Sequence, residues 1–443
     1  MPGRFCFGLQ WGPCRNSFPV KPRAMIDLST LSREDEAARE RLNSRASDMI
    51  AQTQTWSAIN TGSWNIDGLR KLAPMLADAF SELDAEVRLD AGDPFESVNA
   101  AGETETTETA PVIRVSSRPQ APVQVVLSGH YDTVFAPGTF DTIRDLGDGR
   151  LNGPGLADMK GGLCVMREAL LAFEAGPLKD RLGYQIVITP DEEIGNFASA
   201  RALTEAARSG AHIGMTYEPC MDTGAMSGGR KGSAVFDIVL HGRAAHAGRA
   251  KEEGRSALEA AAELVLGLEG LNGQREGVTV NVGSIDGGSP VNIVPDLAII
   301  RFGARAPDAA AAQWTTDEVR RLFARATSRD GIHGHLHGGF YRPPKPRNTA
   351  QQALFDAVQA TGKAIGLDLV FQDTGGVCEG NNIFAAGVPN VDTLGVMGGR
   401  IHSNEEYVLM SSFAERATLS ALLLNRLADG RLDGAGIKAL MDS

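Results

Sequence analysis

Apolar strand-like segments alternate with helical stretches from residue 112 to 218, and that order breaks off before returning near residue 350. The segments VIRVS (112–116), VQVVLS (123–128), YQIVIT (184–189) and IGMTYE (213–218) are separated by helical spacing at 161–174 and 197–208. Strands interleaved with helices bury both sheet faces best in an α/β layer with a mostly parallel sheet. After Ser227 the order becomes strand 233–242, helix 255–269, strands 278–285 and 296–305, helix 308–328 and strand 332–340. A β-α-β-β-α-β run points to a small two-layer α+β unit of the ferredoxin-like kind. The proline-rich YRPPKPR (341–347) reads as a linker. Beyond it come a helix at 350–364, the strand LDLVF, a helix near 381–386 and a long helix over 411–428. The expected organisation is one α/β domain of residues 31–228 and 346–443, with an α+β domain of residues 229–345 inserted. Residues 33–88 carry helical spacing broken near 61–65, and the polar, acidic stretch 91–111 reads as a loop.

A length of 443 residues agrees with more than one core. The formal net charge of -12 argues against a nucleic-acid partner, since phosphate backbones are held by basic patches. No run of 18 or more apolar residues exists, so no transmembrane helix and no membrane partner are expected. In residues 1–25 Gly, Pro, Arg, Asn and Lys interrupt every apolar run, so no signal peptide is expected. Residues 1–30 read as a disordered tail, with Met25 as an alternative start. Cys6, Cys14, Cys164, Cys220 and Cys378 are scattered without a CxxC pair, which fits reduced thiols and a cytoplasmic location.

Five polar motifs lie along the α/β part, most of them at strand ends, where ligands of open sheets gather. Gly129-His130-Tyr131-Asp132-Thr133 follows VQVVLS. There His130 is a candidate metal ligand and Asp132 a carboxylate able to fix its tautomer. Asp158, in GPGLADMKGG, precedes a helix and is equally a helix cap. The glycine spacing there matches neither a dinucleotide nor a phosphate loop. Asp191, Glu192 and Glu193 crowd three carboxylates at a strand end, a repulsion that a cation or shared proton relieves. Glu218 follows IGMTY, and His402 lies far downstream in GRIHSNEE. Each motif alone is also compatible with a solvated loop.

Taken together, in this order, the motifs resemble the M20 zinc metallopeptidases over residues 35–430. That family includes glutamate carboxypeptidase, aminoacylase, acetylornithine deacetylase and succinyl-diaminopimelate desuccinylase. The resemblance implies a zinc-exopeptidase-like catalytic domain carrying a lid and dimerisation domain. It also implies two Zn2+ per subunit, with Co2+ or Mn2+ as possible substitutes. His130 and Glu218 would hold one ion, Glu193 and His402 the other, and Asp158 both, with a cis peptide after it. Asp132 would orient His130, and Glu192 would be the general base acting on a dizinc-activated water.

The same resemblance extends to the lid. His246, in GRAAHAG, matches the histidine that reaches a partner subunit's site, so a homodimer through the lid is expected. Asn292, in GGSPVNIVP, matches a substrate-binding asparagine. Arg305 and Arg342 match arginines that contact substrate, the latter its carboxylate, for which a planar guanidinium is suited. Gly376 opens a stretch, Val377-Cys378-Glu379-Gly380-Asn381-Asn382, that departs from the glutamate carboxypeptidase pattern and is expected to face substrate. His333, His335 and His337 share one strand face, as a metal site or a solvated surface.

The expected activity is metal-dependent cleavage of an amide bond next to a free carboxylate, as in a carboxypeptidase. The substrate would be a C-terminal glutamate or similar residue, or an N-acyl amino acid. A deacylase of N-acetyl or N-succinyl amino acids would use the same site. A non-catalytic binding protein of this family should have lost the base or ligands, all of which are present. A nucleotide-binding oxidoreductase rests on glycine-rich loops alone.

Overall fold

The computed structural model describes Leu28 and residues 30–442. Residues 1–27 of the expected tail, Met25 and the cysteines at 6 and 14 lie outside the described residues. The larger part is built on a six-stranded sheet. Its order is Glu86–Asp90, Val112–Ser117, Leu182–Thr189, Val123–His130, Ile213–Thr216, Asn390–Val391. The last four strands run parallel. Val112–Ser117 runs against both of its neighbours. The central strands are apolar on both faces because helices cover them, among them Gly161–Glu174 and Ser412–Asp429.

Register places the chemistry. His130 pairs with Thr189, and Ser128 with Thr216. The loops after these three strands therefore open on one edge, carrying Asp132, Asp191–Glu193 and Glu218. Asp158 arrives from a different direction, just before helix Gly161–Glu174. A Cβ at Gly162 would overlap the Tyr217 carbonyl oxygen, so glycine lets this helix approach the Glu218 loop. A second sheet, in the order Cys220–Met221, Met397–Gly399, Tyr407–Leu409, Arg150–Asn152, Arg144–Asp145, fixes the 400–406 loop beside the chain leading to Asp158. That sheet carries His402 to the site.

The inserted part is an antiparallel sheet in the order Thr279–Gly287, Leu297–Ala306, Gly232–His241, His333–Arg342. Helices Ala257–Glu269 and Ala309–Thr327 cover one face, where Phe236, Ile238, Leu240, Ile300 and Phe302 pack with Leu264 and Val319. The alternation along Gly232–His241 is thus a buried face against a helix layer.

Two local expectations change. The stretch 91–111 holds a hairpin, Phe95–Val98 paired with Thr104–Thr107, rather than a plain loop. Its Val98 packs against Val239 and Ile299 of the lid sheet, and Phe95 stacks on Phe197 at 5.2 Å. Helical structure stops at Phe80, and Glu86–Asp90 joins the main sheet by pairing with Val112–Ser117.

The two crossings into and out of the lid are tied together. Arg230 N–H donates to the Lys345 carbonyl at 2.8 Å, and Lys345 N–H to the Arg230 carbonyl at 2.9 Å. Asp392 accepts from Arg230 Nε at 2.5 Å and Lys345 Nζ at 2.8 Å, and all three side chains are buried. Burial alone would raise the Asp392 pKa, but Lys345 and Arg230 hold it below the ordinary carboxylate range. Removing one partner of such a buried pair typically costs about 3–5 kcal/mol. Asp392→Asn should therefore destabilise the protein by a few kcal/mol at pH 7 in denaturant titrations. A depressed folded pKa contributes stability above the unfolded value of about 3.9, and that contribution is lost as pH falls through the folded value. The gap between wild type and variant should narrow below about pH 4.

Candidate metal centre

His130, Asp158 and Glu218 bring ligand atoms within 4.8 Å of one another, and so do Asp158, Glu193 and His402. Asp158 belongs to both groups. His130 Nε2 lies 3.1 Å from Asp158 Oδ1 and 3.8 Å from Glu218 Oε2. His402 Nε2 lies 3.3 Å from Asp158 Oδ2 and 3.2 Å from Glu193 Oε2. The two oxygens of Asp158 therefore face different imidazoles. The Asp158–Met159 peptide is cis. His402 has a positive φ of 64° and a half-exposed side chain, whereas His130 is fully buried.

Each donor is held from behind. His130 Nδ1 faces the Asp132 carbonyl at 3.0 Å and its Oδ1 at 3.3 Å. This leaves Nε2 turned towards Asp158. Asp132 also accepts the N–H groups of Glu192 and Glu193, each at 3.1 Å, and the Ser63 hydroxyl at 2.7 Å. One buried carboxylate thus organises the loop that follows the neighbouring strand. Glu406 does the same for Asp158, accepting the N–H groups of Ala157 at 3.0 Å and Asp158 at 3.2 Å. Its own carboxyl is pushed up to about 8 by burial and by the Asp158 charge. Lys160, buried beside them, is pushed down to about 7 by burial and donates to the Ile59 carbonyl at 3.1 Å.

The electrostatics describe a cage short of positive charge. Burial, then the Asp158 charge, pushes Glu193 up to about 7. Burial raises Glu192 well above its ordinary value although Arg342 opposes the shift. Hydrogen bonds to Asp158 and Glu193 push His402 up to about 11. Burial alone would lower the His130 pKa, yet Asp132, Asp158 and Glu218 carry it well above the imidazole range. Glu218 Oε1 is buried without a hydrogen-bond partner, an orphan that a cation would satisfy. Imidazole and carboxylate donors without thiolate fit divalent ions of the zinc type.

The remaining expected residues divide into two sets. Arg342 is buried beside Glu192, with Nη2 2.9 Å from Glu192 Oε1 and 2.8 Å from Asn196 Oδ1. Its Nη1 makes no hydrogen bond among the described residues. Ser233 pairs with Arg305 on one neighbouring strand and Arg342 on the other. Arg305 also bonds the Ser233 hydroxyl, and its pKa is lowered by burial and by the Arg342 charge. Gly376 lies on an exposed loop, where a Cβ would sit 3.6 Å from Arg230 Nη1. His246 and Asn292 are exposed on paired lid segments, His246 bridging Ile293 and Ala247 N–H donating to the Asn292 carbonyl at 2.9 Å, but they join none of the ligand groups within this chain. His333, His335 and His337 are joined by His241 on the lid sheet, away from the centre.

Glu406, Lys160, Asn196 and the Arg230–Asp392–Lys345 cluster escaped the sequence reading. Glu406 and Lys160 sit inside recognised motifs, but their spacing carries no sign that they support Asp158.

Asp132→Ala should lower metal affinity about 10–100-fold, the usual effect of losing a carboxylate that orients a ligating histidine. Calorimetric titration of metal into the metal-free protein reads this directly.

Residues 126–426 match the family described as Peptidase family M20/M25/M40. Carboxypeptidase G2 of Pseudomonas sp. (strain RS-16) is 29% identical over 315 residues, covering 69% of this chain and 74% of the relative. A succinyl-diaminopimelate desuccinylase of Verminephrobacter eiseniae is 26% identical over 332 residues, covering 69% of this chain and 80% of the relative. Among solved structures, a dipeptidase of Saccharomyces cerevisiae shares the fold with a TM-score of 0.67 at 14% identity, over 90% of this chain and 99% of that one. No helix among the described residues is long and apolar enough to cross a membrane. With the family matched across both the sheet-end motifs and the lid, the chain belongs to peptidase family M20/M25/M40 and is a metal-dependent amide hydrolase.

Proposed function

We propose that this hydrolase cleaves an amide bond whose leaving amine carries a free carboxylate, in the manner of a carboxypeptidase. The observation that carries this reading is the pairing of Ser233 with Arg305 on one side and Arg342 on the other, which sets a second guanidinium near the one that pairs with Glu192. Two like charges brought together at a hydrolytic centre favour an anionic substrate group between them. Carboxypeptidase G2 among the relatives agrees with this class.

His130, Asp158 and Glu218 would hold one ion, and Asp158, Glu193 and His402 a second. Zinc suits these donors, and Co2+ or Mn2+ would take the same places. When bound there, two such ions would supply polarisation of the scissile carbonyl and a lowered pKa for an attacking water. Glu192, whose burial raises its affinity for a proton, takes the water proton and passes it to the leaving amine. Arg342 holds Glu192 in place through Oε1, while its free Nη1 remains for the substrate carboxylate. His246 and Asn292, exposed and adjacent, would complete the site by lid closure or in a partner subunit of a homodimer. Buried free Cys164, Cys220 and Cys378 support a cytoplasmic location.

The desuccinylase relatives favour a second reading, an N-acyl amino acid deacylase using the same residues. A panel of N-acyl amino acids and dipeptides, with and without chelator, separates the two. A preference set by the carboxylate on the amine side supports the first reading. A preference set by a succinyl group, indifferent to the amine side, supports the second.

A further inference from the structure

Of the three carboxylates in the run Asp191-Glu192-Glu193, Asp191 joins none of the ligand groups, although it is fully buried. Its side chain accepts the Ala198 N–H at 2.7 Å and the Ser199 hydroxyl at 2.5 Å. Its carbonyl accepts the Asn196 N–H at 2.8 Å. The loop between strand Leu182–Thr189 and helix Ala200–Arg208 is thereby tied back on itself.

What this loop presents is Asn196. Its side chain is fully buried and its φ is 57°. That left-handed region is one that asparagine enters more readily than most residues. Asn196 Nδ2 donates to the Ser199 hydroxyl at 3.0 Å and to the Thr189 hydroxyl at 3.3 Å. The amide hydrogens are thus directed into the loop, and Oδ1 is left to accept. It accepts from Arg342 Nε at 3.2 Å and from Arg342 Nη2 at 2.8 Å. One oxygen therefore holds a whole edge of the guanidinium. Arg342 Nη2 also meets the Glu192 carbonyl and Oε1. The group is planar, so fixing that edge fixes the direction of Nη1.

The neighbouring residues repeat the link. Tyr341 meets Phe197 edge-on, with ring centroids 4.2 Å apart. Consecutive residues ending the lid strand His333–Arg342 thus meet consecutive residues of the catalytic loop. A long arginine side chain has many rotamers, and settling them in advance lowers the cost of binding an anion.

We propose that Asn196 is a positioning residue for substrate binding, presetting the Arg342 guanidinium so that Nη1 meets the carboxylate on the amine side of the substrate. The inference rests on the carboxypeptidase-type reading of the site. The chain of contacts runs from Asp191 through Ser199 to Asn196 and on to Arg342, which gives the third carboxylate of the run a purpose.

The test is the binding of glutamate, as the amine product, to the zinc-loaded full-length protein by calorimetry. Asn196→Gly removes the side chain yet suits the left-handed backbone. Metal content and unfolding curves are measured on the same samples. Glutamate should bind Asn196→Gly about tenfold more weakly than wild type, the size of a lost hydrogen bond to a charged group. Asn196→Asp keeps an oxygen for Arg342 and should retain most of the affinity. In an Arg342→Ala background, Asn196→Gly should cost nothing further, because it acts through Arg342. Glutamate affinity unaltered in Asn196→Gly, an equal loss in Asn196→Asp, or an equal loss in the Arg342→Ala background overturns the proposal. If wild type fails to bind glutamate, or Arg342→Ala binds it as well as wild type does, the carboxylate reading itself fails and this inference falls with it.

Discussion

Glu192→Gln should keep the full metal content of the wild type and lower kcat by about 10²–10⁴-fold, the usual contribution of a positioned proton-transfer group. Glutamine preserves the shape and leaves the Asn196 oxygen to hold Arg342. What is removed is the carboxylate charge, and with it both proton acceptance and the ionic part of the contact with Arg342. KM should change little, because the ligands and the arginine pair remain. Steady-state kinetics with metal analysis on the same sample checks both halves. Near wild-type kcat would move the base elsewhere.

The second large effect belongs to Asp158. Its two oxygens face His130 and His402 separately, so Asp158→Ala removes a donor from both groups. Metal affinity should fall by more than the roughly 10–100-fold typical of losing an orienting carboxylate. Hydrolysis should vanish at metal concentrations that saturate the wild type. His402→Ala removes a donor from one group only and should leave the other ion bound. Inductively coupled plasma measurement of dialysed proteins distinguishes the two, with unfolding curves as the control for integrity. Equal metal loss in both variants would argue against a bridging Asp158.

His130, Glu193 and Glu218 were legible in sequence because each follows an apolar strand, and Asp158 because it precedes a helix, where local pattern is strong. Asp158, equally a helix cap by local pattern, illustrates the limit of one motif read alone. It became a ligand candidate only beside His130, Glu193, Glu218 and His402. The β-α-β-β-α-β run of the lid was legible for a similar reason, since its strands alternate against a helix layer.

What escaped depends on distant partners. The hairpin at 95–107 is polar and acidic, and Phe95 and Val98 are explained by Phe197, Val239 and Ile299, far away in the chain. The strands that carry His402 are two or three residues long, too short for a periodic signal. Asp392 gives no local hint that it clamps Arg230 and Lys345 from two chain crossings.

The most direct test of the account is the number of divalent ions bound by the purified wild-type chain, followed as zinc is returned to metal-free protein. Two ions per chain, with amide hydrolysis returning as the sites fill and lost again to chelator, is the predicted result. A chain that binds no zinc, or whose hydrolysis is indifferent to chelator, would contradict the assignment of His130, Asp158, Glu193, Glu218 and His402.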